Sequence, residues 1–383
     1  MTEFEEIAHS GGKITVNIMT DEQGRRGYQQ TYSGSRPNPM SMIAVWALQQ
    51  GIPIASANLG GIGDQQDPPP VGGCYMIMIG SDSRGKFGHH CPTCSGYWRS
   101  GPWPQLCPYC RFQDQPFNFL SEAQRRYVAH FCHALTEALD ADQDGSITID
   151  MDAVADAAGQ EGEKPAFYVS EESQQHKFNC AACDEYNDVI GRFAYCSACG
   201  TRNDLAMFRS DMAALRATST ADKSSNAVRD AVSAFDNLVG QYTKQFLHLV
   251  PLSKRRSERL QRGRFHDLGA IDDVLQWFDI NVLTGLAAEE VTFLKRMFLR
   301  RHIYEHKGGE VDHAYLDASG DTSVRLKQHI SERLEDVHRL ISGLDRMAQR
   351  LHDGFHELLQ PLEGPIRAYA ERLARQKAYS EGR

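Results

Sequence analysis

The first part of the chain alternates apolar and polar residues in short runs. Ile14, Val16 and Ile18 alternate with polar residues before a turn-forming segment at 21–24, which predicts a β-hairpin over residues 11–32. Apolar runs at 52–57 and 74–79 predict two further strands, and residues 39–50 fit a short helix. We therefore expect residues 1–85 to form a small α+β domain.

Beyond residue 221 the apolar positions follow helical spacing. Steps of three and four residues run from Val228 to Leu249, where Pro251 ends the helix, and again from Ile330 to Leu358. A third helix fits residues 286–309. These patterns predict an all-α antiparallel bundle over residues 222–383, and the long heptad series favours a homodimer formed through it.

Between these regions the pattern predicts a helix and an acidic connector, over residues 116–175. Ser121 is a suitable N-cap for the helix. The helix leads into three aspartates at the first carboxylate positions of an EF-hand calcium loop, which are Asp140, Asp142 and Asp144. The last position of that loop needs a bidentate glutamate and holds Met151 instead. A plain Asp/Gly turn is therefore favoured over a calcium site.

Eight of the ten cysteines form two copies of the pattern C-x2-C-x12-C-x2-C. They are Cys91, Cys94, Cys107 and Cys110 in the first copy, and Cys180, Cys183, Cys196 and Cys199 in the second. Two such pairs joined by a hairpin give a tetrahedral S4 zinc site with no open position. We expect two zinc ribbons, over residues 86–115 and 176–210, each holding one structural ion that stabilises the fold. Cys132 is expected in the core.

The first ribbon mixes aromatic and basic residues, which suits either a small core or contact with nucleic acid. These residues are Tyr97, Trp98, Arg99, Trp103, Tyr109 and Arg111. Packing is the favoured interpretation. The hairpin of the second ribbon holds Asp184, Glu185 and Asp188, so this ribbon is better suited to holding domains or partners than nucleic acid.

The formal net charge of -9 is concentrated in the middle of the chain. No stretch reaches the roughly 20 apolar residues that span a bilayer, and the N-terminal residues lack the features of a signal peptide. We therefore expect a cytoplasmic protein with no membrane partner. Such a setting keeps thiols reduced and able to bind metal.

The densest basic run follows Pro251. It consists of Lys254, Arg255, Arg256, Arg259, Arg262 and Arg264, with Glu258 as the only acid inside it. Such a run is either an ordinary solvated helix face or a patch that contacts the phosphates of RNA.

The apolar stripe of the helix predicted at 286–309 ends in charged residues. The stripe passes through Leu294 and Phe298, and the same steps reach Arg301 and Glu305. A buried arginine needs a partner or a wet crevice. An ion pair between Arg301 and Glu305 is the structural explanation, and it would stabilise the helix by only about 0.3 kcal/mol.

A short motif at the end of this helix resembles a known family. Arg301, His302 and His306, followed by Gly308 and Gly309, resemble the R-x4-6-H motif of HEPN domains, with His302 in place of the more common asparagine. The resemblance covers roughly residues 222–360. It implies an all-α bundle that commonly dimerises and a metal-independent endoribonuclease of toxin, abortive-infection or other anti-phage defence systems. Other members of the family are binding modules.

The residue types suit this chemistry. Cleavage of RNA without metal needs a base for the ribose 2′-hydroxyl and a cation for the phosphorane, so His306 would be the acid or base and Arg301 the phosphate clamp. Five residues on an ideal helix separate two side chains by roughly 140°. We therefore expect a composite site at a homodimer interface.

Two other functions remain open. His302, Glu305 and His306 spell H-x-x-E-H, the signature of inverzincin zinc proteases, whose third ligand would have to be Glu371 or Glu381. The other is a non-catalytic sensor or scaffold, in which the first domain and the ribbons bind nucleic acid or protein while the bundle dimerises.

Overall fold

The computed structural model describes residues 4–6, 12–34, 41–57, 68–82, 84–141, 143–158, 170–263, 265 and 267–381. The chain forms two compact units, one of Met1–Thr201 with Leu362–Arg383, the other of Arg202–Pro361. The helical unit thus begins at Arg202 and ends at Pro361, whereas the sequence predicted limits of 222 and 383. The last helix belongs to the first unit.

The described strands all lie in the first unit. They are β1 (Phe4–Glu6), β2 (Lys13–Thr20), β3 (Arg26–Ser33), β4 (Met42–Ala47), β5 (Pro53–Ala57), β6 (Tyr75–Gly80), β7 (Phe87–His90), β8 (Tyr97–Ser100), β9 (Gly145–Asp150), β10 (Ser170–Glu172), β11 (His176–Asn179) and β12 (Tyr186–Val189). They form four antiparallel sheets of two to four strands, in the orders β1-β10, β3-β2-β9, β5-β4-β6 and β11-β12-β8-β7.

The helices are α1 (Glu122–Leu139), α2 (Met151–Ala158), α3 (Asp204–Thr218), α4 (Ser224–Leu249), α5 (Lys254–Gln261), α6 (Leu268–Leu275), α7 (Ala288–His306), α8 (His313–Ser319), α9 (Leu334–Leu358) and α10 (Glu363–Glu381). Among the described helices, none combines the length and the apolar character that a membrane-spanning segment requires.

The predicted hairpin is confirmed as β2 and β3, and β5 and β6 confirm the two further strands. The short helix predicted at 39–50 is wrong for residues 42–47, which form the central strand β4; residues 39 and 40 lie outside the described part. Side chains on both faces of β4 are buried, Ile43 and Val45 on one and Ala44 and Trp46 on the other. An apolar run buried on both faces has no two-residue alternation, so the sequence could not distinguish strand from helix.

Helix α1 packs onto these sheets and completes the core of the first unit. It begins at Ser121, whose hydroxyl accepts from the backbone of Gln124 in a capping box, as the predicted N-cap requires. Its buried face includes Phe131 and Leu135, in one cluster with residues of β2, β4, β6 and α2. Cys132 is also buried there, which confirms its predicted role. The predicted helix is confirmed as α1, and because β9 and α2 also contribute to this core, residues 143–158 do not form a connector.

The two cysteine-rich segments share one sheet. Strand β8 of the first ribbon pairs with β12 of the second, with Arg99 opposite Asp188 and Ser100 opposite Asn187. Outside this pair lie β7 and β11. The ribbons are therefore one four-stranded module and not two separate domains.

The second unit is an all-α assembly in which α4 contacts α3, α7 and α9. Glycines permit close approach: a Cβ at Gly343 would lie 2.7 Å from Leu294 Cδ2, and one at Gly354 would lie 2.8 Å from Ile280. Both interrupt the heptad series of α9, and each makes room for a side chain of a neighbouring segment. Helix α9 begins at Leu334, so the predicted start at Ile330 is wrong.

Candidate functional site

Each cysteine set brings four sulfur atoms together within 4.8 Å of one another. The Sγ–Sγ distances are 3.7 Å for Cys91–Cys110 and 3.6 Å for Cys94–Cys107. In the second set they are 3.6 Å for Cys180–Cys199 and 3.5 Å for Cys183–Cys196. A tetrahedral site with metal–sulfur bonds of about 2.3 Å needs sulfur atoms about 3.8 Å apart. Both sets therefore fit a tetrahedral metal ion, and neither leaves a position open for substrate.

One turn, used four times, builds these sites. After the second cysteine of each C-x2-C pair comes a residue with positive φ, and its N–H donates to the carbonyl of the first cysteine. These residues are Ser95 (φ 57°), Arg111 (φ 61°), Asp184 (φ 62°) and Gly200 (φ 79°). Only one is glycine, so three positions accept a conformation that L-residues rarely adopt. This repeated turn points both thiols of a pair toward one ion.

A buried ion cluster joins the two ribbons. Arg99 is 1% exposed, and its guanidinium pairs with Asp82 and, at 3.2 Å, with Asp188. Glu185 accepts from the N–H of Gly101 at 2.9 Å. Two of the acidic residues of the second hairpin are thus engaged with the first ribbon.

Burial decides between the two interpretations of the first ribbon's aromatic and basic residues. Trp98 and Arg99 are buried, and the hydroxyl of Tyr109 donates to the carbonyl of Tyr97 at 2.6 Å and accepts from Ile190 at 2.9 Å. Burial raises the pKa of Tyr109 to about 12. Trp98, Arg99 and Tyr109 therefore pack the module, as predicted, whereas Trp103 is 42% exposed.

The end of α7 carries the predicted catalytic residues. His302 and His306 are exposed one helical turn apart, with ring centroids 4.7 Å apart. Arg301 is half-buried, and its Nε is buried without a hydrogen-bond partner among the described residues. A single chain therefore presents two adjacent imidazoles next to an arginine whose Nε–H has no hydrogen-bond partner among the described residues.

The pKa of His302 is lowered. Partial burial is the largest cause, the positive neighbours His306, Arg301 and Lys307 act in the same direction, and Asp312 opposes them. The imidazole of His302 is therefore neutral near pH 7, the state that accepts a proton.

The predicted ion pair between Arg301 and Glu305 is wrong. The carboxylate of Glu305 lies 3.7 Å from the guanidinium of Arg229 on α4 instead. Since the start of α4 meets the end of α7, and Phe235 packs against Phe298 further along, the two helices run antiparallel.

The arginine buried in this helix is Arg300. It donates from Nε to the hydroxyl of Tyr315 at 3.0 Å and from its other nitrogens to Glu332 (2.9 and 2.8 Å) and Asp321 (2.8 Å). Tyr304 also donates to Glu332. Two carboxylates and the Tyr315 hydroxyl thus accept from one guanidinium, and the network ties α7 to the segment between α8 and α9.

Sequence reasoning missed this network because its partners lie far apart in the chain. The predicted Leu294 and Phe298 are buried, but the buried face of α7 is wider than the predicted stripe and also includes Phe293, Met297, Arg300 and Ile303. One residue on a helix is a rotation of about 100°. The sequence alone therefore could not show which of the two adjacent arginines, Arg300 or Arg301, is buried.

The segment of the possible calcium loop lies between the end of α1 and the start of β9. The carboxylate of Asp144 accepts from the backbone and hydroxyl of Thr20, at 2.9 and 2.8 Å. The following residues form β9, which pairs with β2 over Gly145–Asp150. Asp140 caps the end of α1, and Asp142 lies outside the described residues. The segment is a turn into a strand.

Among the described residues, no third ligand joins the two histidines of the H-x-x-E-H signature. Within the described part of the chain, three-ligand or larger groups of His, Cys, Asp and Glu occur at the two cysteine sets, and neither His302 nor His306 belongs to one. Glu371 and Glu381 lie on α10, and the side chain of Glu381 is outside the described residues.

The basic run forms α5 and the turn after it. Its described members, from Lys254 to Arg262, are exposed, and Arg264 lies outside the described residues. Arg256 and Arg259 lie over the ring of Trp277, which is near the end of α4, because the neighbouring Phe278 stacks on Phe246 at 4.0 Å. The run is therefore near the opposite end of α4 from Arg229 and the α7 histidines.

Comparisons with known protein families, with curated proteins and with solved structures gave no match.

Proposed function

We propose that the chain is a metal-independent endoribonuclease of HEPN type, whose site is the end of α7. The observation that carries the proposal is the exposed pair of imidazoles, His302 and His306, with centroids 4.7 Å apart beside the half-buried Arg301. Two histidines and a cation are the groups that RNA cleavage needs when no metal takes part.

The lowered pKa of His302 supports one assignment of the roles. His302, held neutral by its surroundings, takes the proton of a ribose 2′-hydroxyl. The freed oxygen attacks phosphorus, forming the O2′–P bond while the P–O5′ bond breaks, and His306 gives a proton to the leaving O5′. Arg301 stabilises the charge on the phosphorane. The products are a 2′,3′-cyclic phosphate and a 5′-hydroxyl.

The same proposal includes a homodimer. Arg301 and His306 project from α7 roughly 140° apart. Two copies of the α7 end that face each other across a twofold axis would bring the arginine of one protomer to the histidine of its partner.

We also propose zinc as the ion in both cysteine sets. Four thiolates at tetrahedral spacing are the donor set that zinc prefers in structural sites. The ions would stabilise the joined ribbons and take no part in the cleavage.

The test is cleavage of a fluorescent single-stranded RNA by the purified full chain without added divalent metal. We expect cyclic-phosphate ends, and a loss of about 100-fold or more in His306→Ala and Arg301→Ala. His313→Ala removes another exposed histidine and serves as the matched control. Undiminished cleavage by both Arg301→Ala and His306→Ala would remove the proposal.

The joined ribbons favour a second candidate, a non-catalytic scaffold. Their buried Arg99 cluster makes one rigid module from two metal sites. This candidate predicts a chain that binds a partner and dimerises, while RNA remains intact in the assay above.

A further inference from the structure

Four arginines around α5 are exposed and lack acidic partners. They are Arg255, Arg256, Arg259 and Arg262, and none forms an ion pair within the described part of the chain. Other arginines of the same unit do pair, as Arg209 does with Asp345 and Arg346 with Glu290. An ordinary solvent-exposed helix face mixes positively and negatively charged residues. Unpaired cations on a chain of net charge -9 indicate an anionic ligand.

Trp277 holds two of these guanidinium groups. Arg256 lies 5.6 Å and Arg259 5.1 Å from the centroid of its ring. Stacking on an aromatic face restricts a long side chain that would otherwise be free, so less entropy is lost when a phosphate binds. The planar guanidinium keeps its edge available for a bidentate contact with phosphate.

The arginines also border a cavity of about 400 Å³. Arg255, Arg259 and Arg262 line it together with the apolar Phe265 and Val274, and Glu258 is the one carboxylate among its described lining residues. A cavity with cationic walls and an apolar floor suits a ligand that joins phosphates to flat bases, which is single-stranded nucleic acid.

This surface is distant from the α7 histidines. Phe246 marks the α5 end of α4, and Arg229 marks the α7 end. They are separated by a helical rise of roughly 25 Å. A group bound at α5 therefore cannot touch the imidazoles of the same protomer.

We propose that α5, Trp277 and the adjoining cavity form a docking site for the phosphate backbone of single-stranded RNA, separate from the site of cleavage. The choice of RNA over other polyanions rests on the proposed function. A substrate long enough to reach both ends of α4 gains affinity from this site, and a trinucleotide bound at the α7 end does not.

Binding is tested with a labelled 2′-O-methyl RNA, which cannot be cleaved, on the full chain by fluorescence anisotropy over a range of salt concentrations. The triple variant Arg255→Gln/Arg259→Gln/Arg262→Gln should weaken binding at least about tenfold. It should also reduce the slope of log affinity against log salt by about 2, since each phosphate contact to a single strand contributes about 0.7.

Two further variants test whether a change in RNA binding comes from these arginines and not from a folding defect. Arg325→Gln removes an exposed arginine elsewhere in the same unit and should leave affinity and slope unchanged. Glu258→Gln removes the one acid of the cavity and should tighten binding, a result that a folding defect would not produce. Thermal melts of every variant check the fold.

Unchanged affinity and slope in the triple variant would overturn the docking site. Equal or tighter binding of a polyglutamate peptide at the same arginines would overturn the choice of RNA and identify an acidic protein as the ligand. If RNA binding depends on the arginines while the wild-type chain cuts no RNA, the docking site stands and the ribonuclease proposal fails.

Discussion

The guanidinium of Arg300 donates two hydrogen bonds to the carboxylate of Glu332, at 2.9 and 2.8 Å, across 32 residues of chain. Both groups are almost fully buried. The pair fixes the end of α7 against the segment that leads into α9, and it lies next to the proposed catalytic arginine. Rigidity at this end of the helix thus comes from a buried charge network and not from the histidines themselves.

Removing one partner of this network should cost much stability. Glu332→Gln leaves the buried Arg300 with less negative charge, and breaking a buried pair typically lowers the free energy of unfolding by about 3 to 5 kcal/mol. Urea denaturation measures this change in the free energy of unfolding. Glu310→Gln, at an exposed site, is the control and should change stability by less than about 0.5 kcal/mol. A Glu332→Gln value equal to the control would show that the network adds nothing.

The network should also make the free energy of unfolding decrease at low pH. Burial alone would raise the pKa of Asp321, but hydrogen bonds from Ser323, Arg300 and Tyr315 outweigh it and hold the pKa well below its usual range. A carboxylate whose pKa is lower when folded adds stability that is complete above its unfolded pKa of about 4 and is lost as the pH falls further. Calorimetry of the full chain should show this loss in the wild type. Asp321→Asn should lack that component, and identical acid profiles would contradict the assignment.

Arg301 should set the pKa of His302. After partial burial, the positive charges of His306 and Arg301 lower this pKa, while Asp312 raises it. Arg301→Gln removes one positive charge, so we expect the pKa of His302 to rise toward the ordinary value of a histidine. Titration of the imidazole Cε1–H signal by NMR measures the change without reference to activity. Arg325→Gln should leave the signal unchanged, and no shift in either variant would place Arg301 too far away to matter.

Mixing two inactive variants tests the composite site. If Arg301 of one protomer serves His306 of its partner, an equal mixture of Arg301→Ala and His306→Ala chains that exchange freely contains mixed dimers with one complete site. About one quarter of the wild-type activity should then return, because half of the dimers are mixed and each has one working site of two. A mixture as inactive as its components, with exchange verified by mass spectrometry, would place the whole site in one protomer.

The two metal ions should leave at different rates. Cys94 is exposed and Cys110 half-buried, whereas all four cysteines of the second set are buried. A thiol reagent should therefore release the ion of the first set before that of the second, which a colorimetric zinc indicator records as two phases. Cys94→Ser should abolish the fast phase alone. Release in a single phase would show that the ribbons open together.

The features that the sequence predicted correctly depend on residues that lie close together in the chain. The cysteine spacing predicted both metal sets because a C-x2-C turn is formed by neighbouring residues. Ser121 predicted the start of α1 because an N-cap contacts only the first turn of its own helix. Strand β4 was missed because burial on both faces removes the alternation that identifies a strand. Arg300 and Trp277 were missed because their roles come from residues that only the folded chain brings near them.

The first unit is discontinuous along the chain. Helix α10 belongs to it: the N–H of Leu362 donates to the carbonyl of Cys199 at 2.8 Å, Ile366 packs against the second cysteine set, and Arg372 pairs with Asp184. A ribosome produces these residues only after all of Arg202–Pro361 has been made. During synthesis the second ribbon gains its last contacts only after the helical insert has emerged, so the insert can fold before the first unit is complete.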